Sequence, residues 1–188
     1  NNCLEVFNRD SLLLWADTLH CDIHPKYRPF PNSPGYGHVY DLDSDGRNEV
    51  TWLPWIVENC EERSWIRFYS WDGKLRFKRF APILWKTPVD TPGVLYDANG
   101  LYLTQVASEP VLISQVVQEL PARMHIRFWN GNGDSLGWYT HLGHGQFVRA
   151  VDLDYDGVEE LLFVCFNNKM GCAALLALSA TSVHGISP

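Results

Sequence analysis

The chain has 188 residues, of which 46% are hydrophobic and 13% aromatic, with eight Trp among them. This composition indicates a folded protein with a sizeable core and excludes a disordered chain. The formal charge of −7 argues against a nucleic-acid-binding surface, which needs a clustered basic face. No stretch approaches the roughly 18 uninterrupted apolar residues of a membrane span. The start of the chain shows no signal-peptide pattern, which a mature secreted domain or an excised fragment would also lack.

In chain order, the sequence predicts a series of β-hairpins. The first covers 4–15, and two related ones lie at 66–77 and 126–138. The latter two contain Asp-Gly and Asn-Gly pairs between β-prone runs, which are strong hairpin signals because both central residues accept positive φ. A last strand is predicted at 172–178. These segments together predict an all-β fold.

The segments between the hairpins are less regular. Two proline-rich stretches, 21–34 and 82–92, are predicted to be surface connections because proline interrupts both helices and strands. The segment 108–120 has the length of a helix, but its β-branched residues favour a strand.

Two acidic loops share one pattern, Asp at the first, third and fifth positions, Gly at the sixth and Glu at the ninth. We call 41–49 the first loop and 152–160 the second loop. Ca²⁺ takes about 6–8 oxygen ligands, so the three Asp, the seventh carbonyl and the Glu predict a calcium cage in each. A solvated acidic turn without metal is the alternative. The predicted ligands are Asp41, Asp43, Asp45, the Arg47 carbonyl and Glu49 in the first loop, and Asp152, Asp154, Asp156, the Val158 carbonyl and Glu160 in the second.

Neither loop has the features of an EF-hand. That motif needs a bidentate Glu at its twelfth position between two helices, and here those positions are Trp52 and Phe163. The residues after each loop are apolar and β-prone. Each loop is therefore predicted to join two strands.

The two loops resemble the calcium loop of the FG-GAP repeat, found in integrin α-subunits and in many bacterial surface proteins. In that family a D-x-D-x-D-G-x-x-[DE] loop binds Ca²⁺ in the hairpin between the first two strands of a β-propeller blade. The resemblance covers the loops and their flanking strands. It implies propeller-type blades and two structural Ca²⁺ sites.

The repeat predicts a further, degenerate copy at 97–100, midway between the two loops. Asp97 follows Asp41 by 56 residues and precedes Asp152 by 55. This copy lacks the acids of the other two, so we predict a plain tight hairpin without metal. Two hairpins make one four-stranded blade, which gives about three blades within a single all-β repeat domain over 1–188. A partial propeller from a longer protein, a small closed assembly and a dimer all remain open.

Other candidate chemistry gives weaker signals. The five cysteines show no C-x-x-C spacing, and one Cys3–Cys21 or Cys165–Cys172 bridge is compatible with the sequence. The pairs His20 and His24, and His141 and His144, lack the ligand spacing of known zinc sites. No nucleophile signature is present. The candidates for a glycosidase-type carboxylate pair lie in surface loops, where acids are usually solvated. They are Glu58, Glu61, Glu62 and Asp90.

The aromatic residues allow two interpretations. Most Trp residues are expected in the core, and Trp55 and Trp71 are the expected exposed pair. The sequence thus predicts a non-catalytic binding or scaffolding module for a protein or carbohydrate partner. Extracellular calcium loops often bind at about 10⁻⁴–10⁻³ M, so we expect an extracytoplasmic location. A carbohydrate-active enzyme, glycosidase or lyase, or its accessory domain, is the alternative.

Overall fold

The computed structural model describes residues 2–19, 36–53, 65–80, 96–118, 123–180 and 182–186. Every regular element in these ranges is a β-strand, which confirms the predicted all-β class. A helix able to span a membrane is absent from these ranges. By its internal contacts the chain divides into two compact units, Asn1–Phe80 and Ala81–Pro188. The single repeat domain over 1–188 stays a prediction.

The first unit holds two antiparallel sheets, a two-stranded hairpin and a four-stranded meander in chain order. The predicted hairpins at 4–15 and 66–77 are both present, and the first loop joins two antiparallel strands as predicted. The strands are β1 (Asn2–Phe7) and β2 (Leu13–Leu19) in the hairpin, and β3 (Tyr36–Tyr40), β4 (Glu49–Leu53), β5 (Trp65–Tyr69) and β6 (Leu75–Phe80) in the meander.

A small core joins the hairpin to the meander in this unit. Val50, Trp52 and Tyr69 are buried there, and Trp15 of β2 stacks on Tyr69 with ring centroids 5.1 Å apart. Leu4 and Val6 of β1 complete the contact. The exposed and half-buried residues alternate along β1, which is the pattern of a strand with one face packed on a sheet.

An ion pair and a hydroxyl group reinforce this contact. Arg67 Nη1 donates to Asp17 Oδ2 at 2.7 Å, and the Tyr69 hydroxyl donates to the same oxygen at 2.5 Å. Burial raises the pKa of Tyr69, so its hydroxyl stays protonated and able to donate. The Arg67 side chain is only 7% exposed, and loss of Asp17 would leave its charge buried without this partner.

The second unit holds a five-stranded sheet in the order β14-β10-β9-β8-β7 and a three-stranded sheet in the order β11-β12-β13. Every pairing is antiparallel except that of β10 with β14. The strands are β7 (Tyr96–Val106), β8 (Glu109–Gln118), β9 (Arg123–Trp129), β10 (Ser135–His141), β11 (Gly143–Val151), β12 (Glu160–Asn167), β13 (Cys172–Ser179) and β14 (His184–Ile186).

The core of the second unit lies between its two sheets. Ile113, Ile126 and Phe128 of the five-stranded sheet form one buried cluster with Leu161 and Phe163 of β12. Burial alternates along β12, so that one face of the strand packs in the core and the other is partly open. The predicted hairpin at 126–138, the strand within 108–120 and the strand at 172–178 are confirmed.

The predicted hairpin at 97–100 is wrong. These residues lie inside β7, which pairs with β8 across a register shift between Ala98 and Gly100. The chain reverses instead at Ala107 and Ser108, whose φ angles are 50° and 68°. Positive φ at both central residues fits a tight hairpin turn, but Ala and Ser are not the residues by which such turns are recognised.

The four-stranded meander of the first unit has the strand number and order of one propeller blade. All four sheets formed by the described strands are open, and each edge strand is paired on one side only within them. The division into about three propeller blades stays a prediction.

Candidate metal centres

The two acidic loops have the same backbone conformation. Each connects antiparallel partners, β3 with β4 and β11 with β12. The fourth residues, Ser44 and Tyr155, have φ of 60° and 63°, and the sixth, Gly46 and Gly157, have φ of 85° and 89°. Glycine adopts positive φ at little cost, which explains its place at the sixth position of both loops. The loops are thus alike in geometry as well as in sequence.

Backbone N–H groups donate to the carboxylates of each loop, and three of the four bonds have the same donor and acceptor positions in both loops. The fifth-position N–H donates to the first-position Asp in the first loop and to the third-position Asp in the second. In the first loop the bonds run from Gly46 N to Asp41 Oδ2 (2.9 Å), from Asp45 N to Asp41 Oδ1 (3.0 Å), from Arg47 N to Asp45 Oδ1 (2.8 Å) and from Leu42 N to Glu49 Oε2 (2.9 Å). In the second they run from Gly157 N to Asp152 Oδ2 (3.0 Å), from Val158 N to Asp156 Oδ1 (2.8 Å), from Asp156 N to Asp154 Oδ1 (3.3 Å) and from Leu153 N to Glu160 Oε2 (2.9 Å).

The three Asp side chains of each loop lie close together. One carboxylate oxygen from each of Asp41, Asp43 and Asp45 lies within 4.8 Å of the others, and the same holds for the group that comprises Asp152, Asp154 and Asp156. Hard oxygen donors gathered at this spacing are the ligands that Ca²⁺ prefers. The two groups of Asp that the sequence predicted as ligands are therefore brought together in space.

Each loop also contains one carboxylate oxygen that lacks a hydrogen-bond partner. Asp43 Oδ1 in the first loop and Asp152 Oδ1 in the second are buried and accept no hydrogen bond. A buried polar atom without a partner is costly, and such atoms are rare in folded proteins. A cation bound among the Asp side chains would supply the missing partner, so the residues present fit a hard divalent ion.

The ninth-position acids, Glu49 and Glu160, also face their loops. Each accepts the N–H group of the loop's second residue through Oε2, which leaves Oε1 for another partner. Glu49 is only 3% exposed, and this burial raises the pKa of its carboxyl group. The charge of Arg76 offsets part of this effect, and a bound cation would favour the ionised form further.

The seventh residues, Arg47 and Val158, lie in the loops with their N–H groups bonded to the fifth-position Asp. Their roles as carbonyl ligands stay predictions. The side chain of Arg47 has a separate contact, because its guanidinium lies over the ring of Trp71 at 5.2 Å from the ring centroid.

An arginine that the sequence analysis did not identify distinguishes the two loops. Arg76 of β6 donates to Asp43 Oδ2 at 2.7 Å, and the same nitrogen lies 3.8 Å from Glu49 Oε1. Among the described residues no ion pair reaches the carboxylates of the second loop. Arg76 lies 33 residues from Asp43, and only the meander brings the two together, so no local signal in the sequence marks this contact.

Among the described Trp residues, two are buried and Trp71 is exposed as predicted, whereas Trp15, Trp65 and Trp138 are half-buried. Trp52 and Trp129 are buried at 3% and 2% exposure, whereas Trp71 is 54% exposed. Trp55 and Trp85 lie outside the described residues.

The histidines and acids considered for catalysis or zinc binding give no site in the described residues. His141 is buried, with Nε2 3.3 Å from the carbonyl oxygen of Phe166, and burial lowers its pKa. His144 is exposed. The described groups of three or more potential metal ligands contain neither His nor Cys. The other candidates lie outside the described residues, namely His20, His24, Glu58, Glu61, Glu62 and Asp90.

The cysteines described by the structure are free thiols, namely Cys3, Cys165 and Cys172. A Cys165–Cys172 bridge is therefore wrong. On paired strands Cys165 lies opposite Ala174, and Cys172 lies opposite Asn167, so the two cysteines are offset along the strands. Cys21, the other partner considered for Cys3, lies outside the described residues.

Comparison of the chain with protein-family models, with curated proteins and with solved structures finds no match in any of the three.

Proposed function

We propose that the chain is a calcium-stabilised, non-catalytic binding module that works outside the cytoplasm. The observation that carries the proposal is the identity of the two acidic loops in sequence offsets, in backbone conformation and in the convergence of three Asp oxygens. A single acidic turn of this kind is common on protein surfaces. Two copies that repeat every one of these features are better explained by a shared ligand.

The cation would be held by carboxylates that otherwise repel each other. The first loop places four acids in nine residues and the second loop places five, in each case between the ends of two paired strands. A bound divalent ion converts this repulsion into attraction and holds the strand ends together. We infer a structural role for the ion, because each loop joins the ends of two paired strands.

The extracytoplasmic location follows from the availability of the ion. Calcium loops in extracellular modules bind at about 10⁻⁴–10⁻³ M, and only a calcium-rich compartment would fill them. Where Ca²⁺ is scarce, Arg76 would offset part of the repulsion among the acids of the first loop, whereas no ion pair of the described residues would offset it in the second. The FG-GAP-like propeller arrangement is part of this proposal, as the setting in which such loops stiffen a binding surface.

Thermal melting with and without Ca²⁺ tests the proposal. A ligand that binds only the folded state stabilises it by about 2.7 kcal/mol at a hundred times its Kd. We expect Ca²⁺ to raise the melting temperature of the wild-type protein, and Asp43→Ala and Asp154→Ala each to remove part of that rise. Because the loops lie in different units, the two losses should be roughly additive in the double variant.

The matched control is Asp134→Ala, which changes one exposed acid in the turn between β9 and β10, outside both loops. It should leave the Ca²⁺-dependent rise intact. The proposal fails if the wild-type melting temperature is unaffected by millimolar Ca²⁺, or if all three single variants behave alike.

A further inference from the structure

An open groove in the first unit lies directly beside the first loop. It has a volume of about 470 Å³. Two of its lining residues, Arg47 and Asn48, belong to the loop itself. The other six are apolar and come from the hairpin, the meander and its β5–β6 turn, namely Val6, Phe7, Leu14, Val39, Val50 and Trp71.

Four of the six apolar residues that line this groove are more than half exposed. Phe7, Leu14, Val39 and Trp71 have 51%, 57%, 61% and 54% of their surfaces open to solvent. Apolar side chains grouped at one concave place on an acidic protein mark a contact surface rather than chance exposure. Trp and Arg are also the residue types most enriched among energetically dominant interface residues.

The groove is held in shape before any ligand arrives. The Trp71 carbonyl accepts a hydrogen bond from Trp15 Nε1 at 3.3 Å, and Trp15 in turn packs on Tyr69. Arg47 is fixed at the other side by its N–H bond to Asp45 and by the contact of its guanidinium with the Trp71 ring. A preformed site loses less conformational entropy on binding.

The charge of Arg47 indicates which kind of ligand the groove binds. Arg47 is the one charged residue among those that line it. Its guanidinium forms no ion pair with any carboxylate of the described residues, although the protein as a whole carries a charge of −7. An unpaired guanidinium on the rim of an apolar groove complements a ligand that is apolar with a carboxylate close by.

We infer that this groove binds a short segment of a partner protein, in which an aromatic or branched aliphatic side chain lies one or two residues from an Asp or Glu. The spacing follows from the 5.2 Å between the Arg47 guanidinium and the Trp71 ring centroid, since an extended chain advances about 3.3–3.6 Å per residue. A carbohydrate fits less well, because a sugar needs several polar partners and only Arg47 and Asn48 provide them here.

This inference rests on the proposed function, because Arg47 and Asn48 are placed by the first loop. The selection experiment pans a display library of random dodecapeptides on the Ca²⁺-loaded protein. The best-enriched peptide is then synthesised together with two matched variants. In one variant Asp or Glu is replaced by its amide, and in the other the apolar residue is replaced by Ser.

Binding of these three peptides is measured by fluorescence anisotropy. We expect Trp71→Ala and Phe7→Ser to weaken binding at least tenfold, since each removes part of the apolar wall. In Arg47→Gln the preference for the acidic peptide over its amide should disappear. The control is Leu175→Ser, which removes an apolar side chain that is 67% exposed in the second unit and should leave the affinity unchanged.

Several outcomes overturn the inference. One is the absence of enriched peptides, and another is enrichment of peptides that bind Trp71→Ala and Phe7→Ser as tightly as the wild type. The inference is also overturned if no peptide binds and a different occupant does so in a manner that depends on Trp71. The occupants to be tested are cellohexaose, chitohexaose, phosphatidylcholine–phosphatidylglycerol vesicles and a second copy of the chain. Because Trp71 and Phe7 are more than half exposed, their substitution leaves the core intact, and unchanged circular dichroism verifies folding.

The same samples separate failure of this inference from failure of the proposed function. If Ca²⁺ raises the melting temperature but no peptide binds, the groove inference fails and the calcium proposal stands. If peptides bind with the expected specificity and Ca²⁺ has no effect on the melting temperature, the calcium proposal fails and the groove inference stands.

Discussion

Arg76 makes the two acidic loops chemically unequal, and its replacement should raise the Ca²⁺ affinity of the first loop. A cation in that loop would share Asp43 and Glu49 with the Arg76 guanidinium, which lies 2.7 Å and 3.8 Å from their oxygens. Arg76→Gln removes the competing charge and keeps a shorter polar side chain at this position. We expect this variant to bind Ca²⁺ more tightly than the wild type at the first loop.

The structure sets the size of the effect. Two unit charges about 4 Å apart interact by about 1 kcal/mol in a water-like medium and by about 4 kcal/mol at an effective dielectric of 20. The Arg76 and Asp43 side chains are 32% and 18% exposed, so solvent screening favours the lower end. About 1 to 1.4 kcal/mol corresponds to a decrease in Kd of about 5- to 10-fold.

The assay is a Ca²⁺ titration in the Asp154→Ala background, so that only the first loop responds. Arg79→Gln is the matched control, because it removes one positive charge from the same strand, β6, three residues from Arg76. The reasoning is refuted if Arg76→Gln leaves Kd unchanged or increases it relative to Arg79→Gln.

Two further predictions concern stability. Burial, followed by the charges of Arg123 and Arg127, lowers the pKa of His125 to about 4, so the folded protein binds fewer protons than the unfolded chain between that value and about 6.5. Through His125, stability of the second unit should therefore fall by about 1.4 kcal/mol per pH unit as the pH drops through this window. His125→Gln should remove this contribution in denaturant unfolding and leave that of the buried His141, whose pKa burial also lowers, whereas the exposed His144→Gln should retain the His125 contribution. Asp17→Asn should destabilise the first unit by about 3 kcal/mol, because the buried Arg67 guanidinium loses the negative charge of its carboxylate partner. Asp10→Asn, which breaks the exposed contact of Arg9 with Asp10, should cost less than about 0.5 kcal/mol in the same urea titration, and equal effects of the two would rule out the buried-pair explanation.

The hairpins could be predicted because their signals are local. The turn after β5 contains Asp72 and Gly73, and Gly73 has a φ of 83°, as expected for the residue that closes a tight turn. The strands on both sides carry β-prone residues, so turn chemistry and strand preference agree. The same agreement placed both acidic loops between strands.

The turn between β7 and β8 was missed because local and non-local signals conflict there. Asn99 and Gly100 form a pair typical of hairpin turns, yet the pairing of β7 with β8 continues across this point with only a register shift. The true turn at Ala107 and Ser108 lacks such residues. The Ala107 N–H group donates to Glu159 Oε2 at 2.8 Å, a contact across 52 residues that compensates for the missing local preference.

The acidic loops could be predicted because all their predicted side-chain ligands lie within nine residues. The contacts that other strands and turns make with these loops could not be predicted. Arg76 reaches Asp43 only through the order of strands in the meander, and Trp71 meets Arg47 for the same reason. Contacts of this type depend on sheet topology, which the alternation of residues along one strand does not encode.

The central claim is that each acidic loop binds one Ca²⁺, and calorimetric titration of the chelator-treated protein tests it most directly. The account predicts two Ca²⁺ per chain, falling to one in either Asp43→Ala or Asp154→Ala and to none in the double variant. Absence of heat at millimolar Ca²⁺, or a stoichiometry that neither single variant lowers, would contradict it.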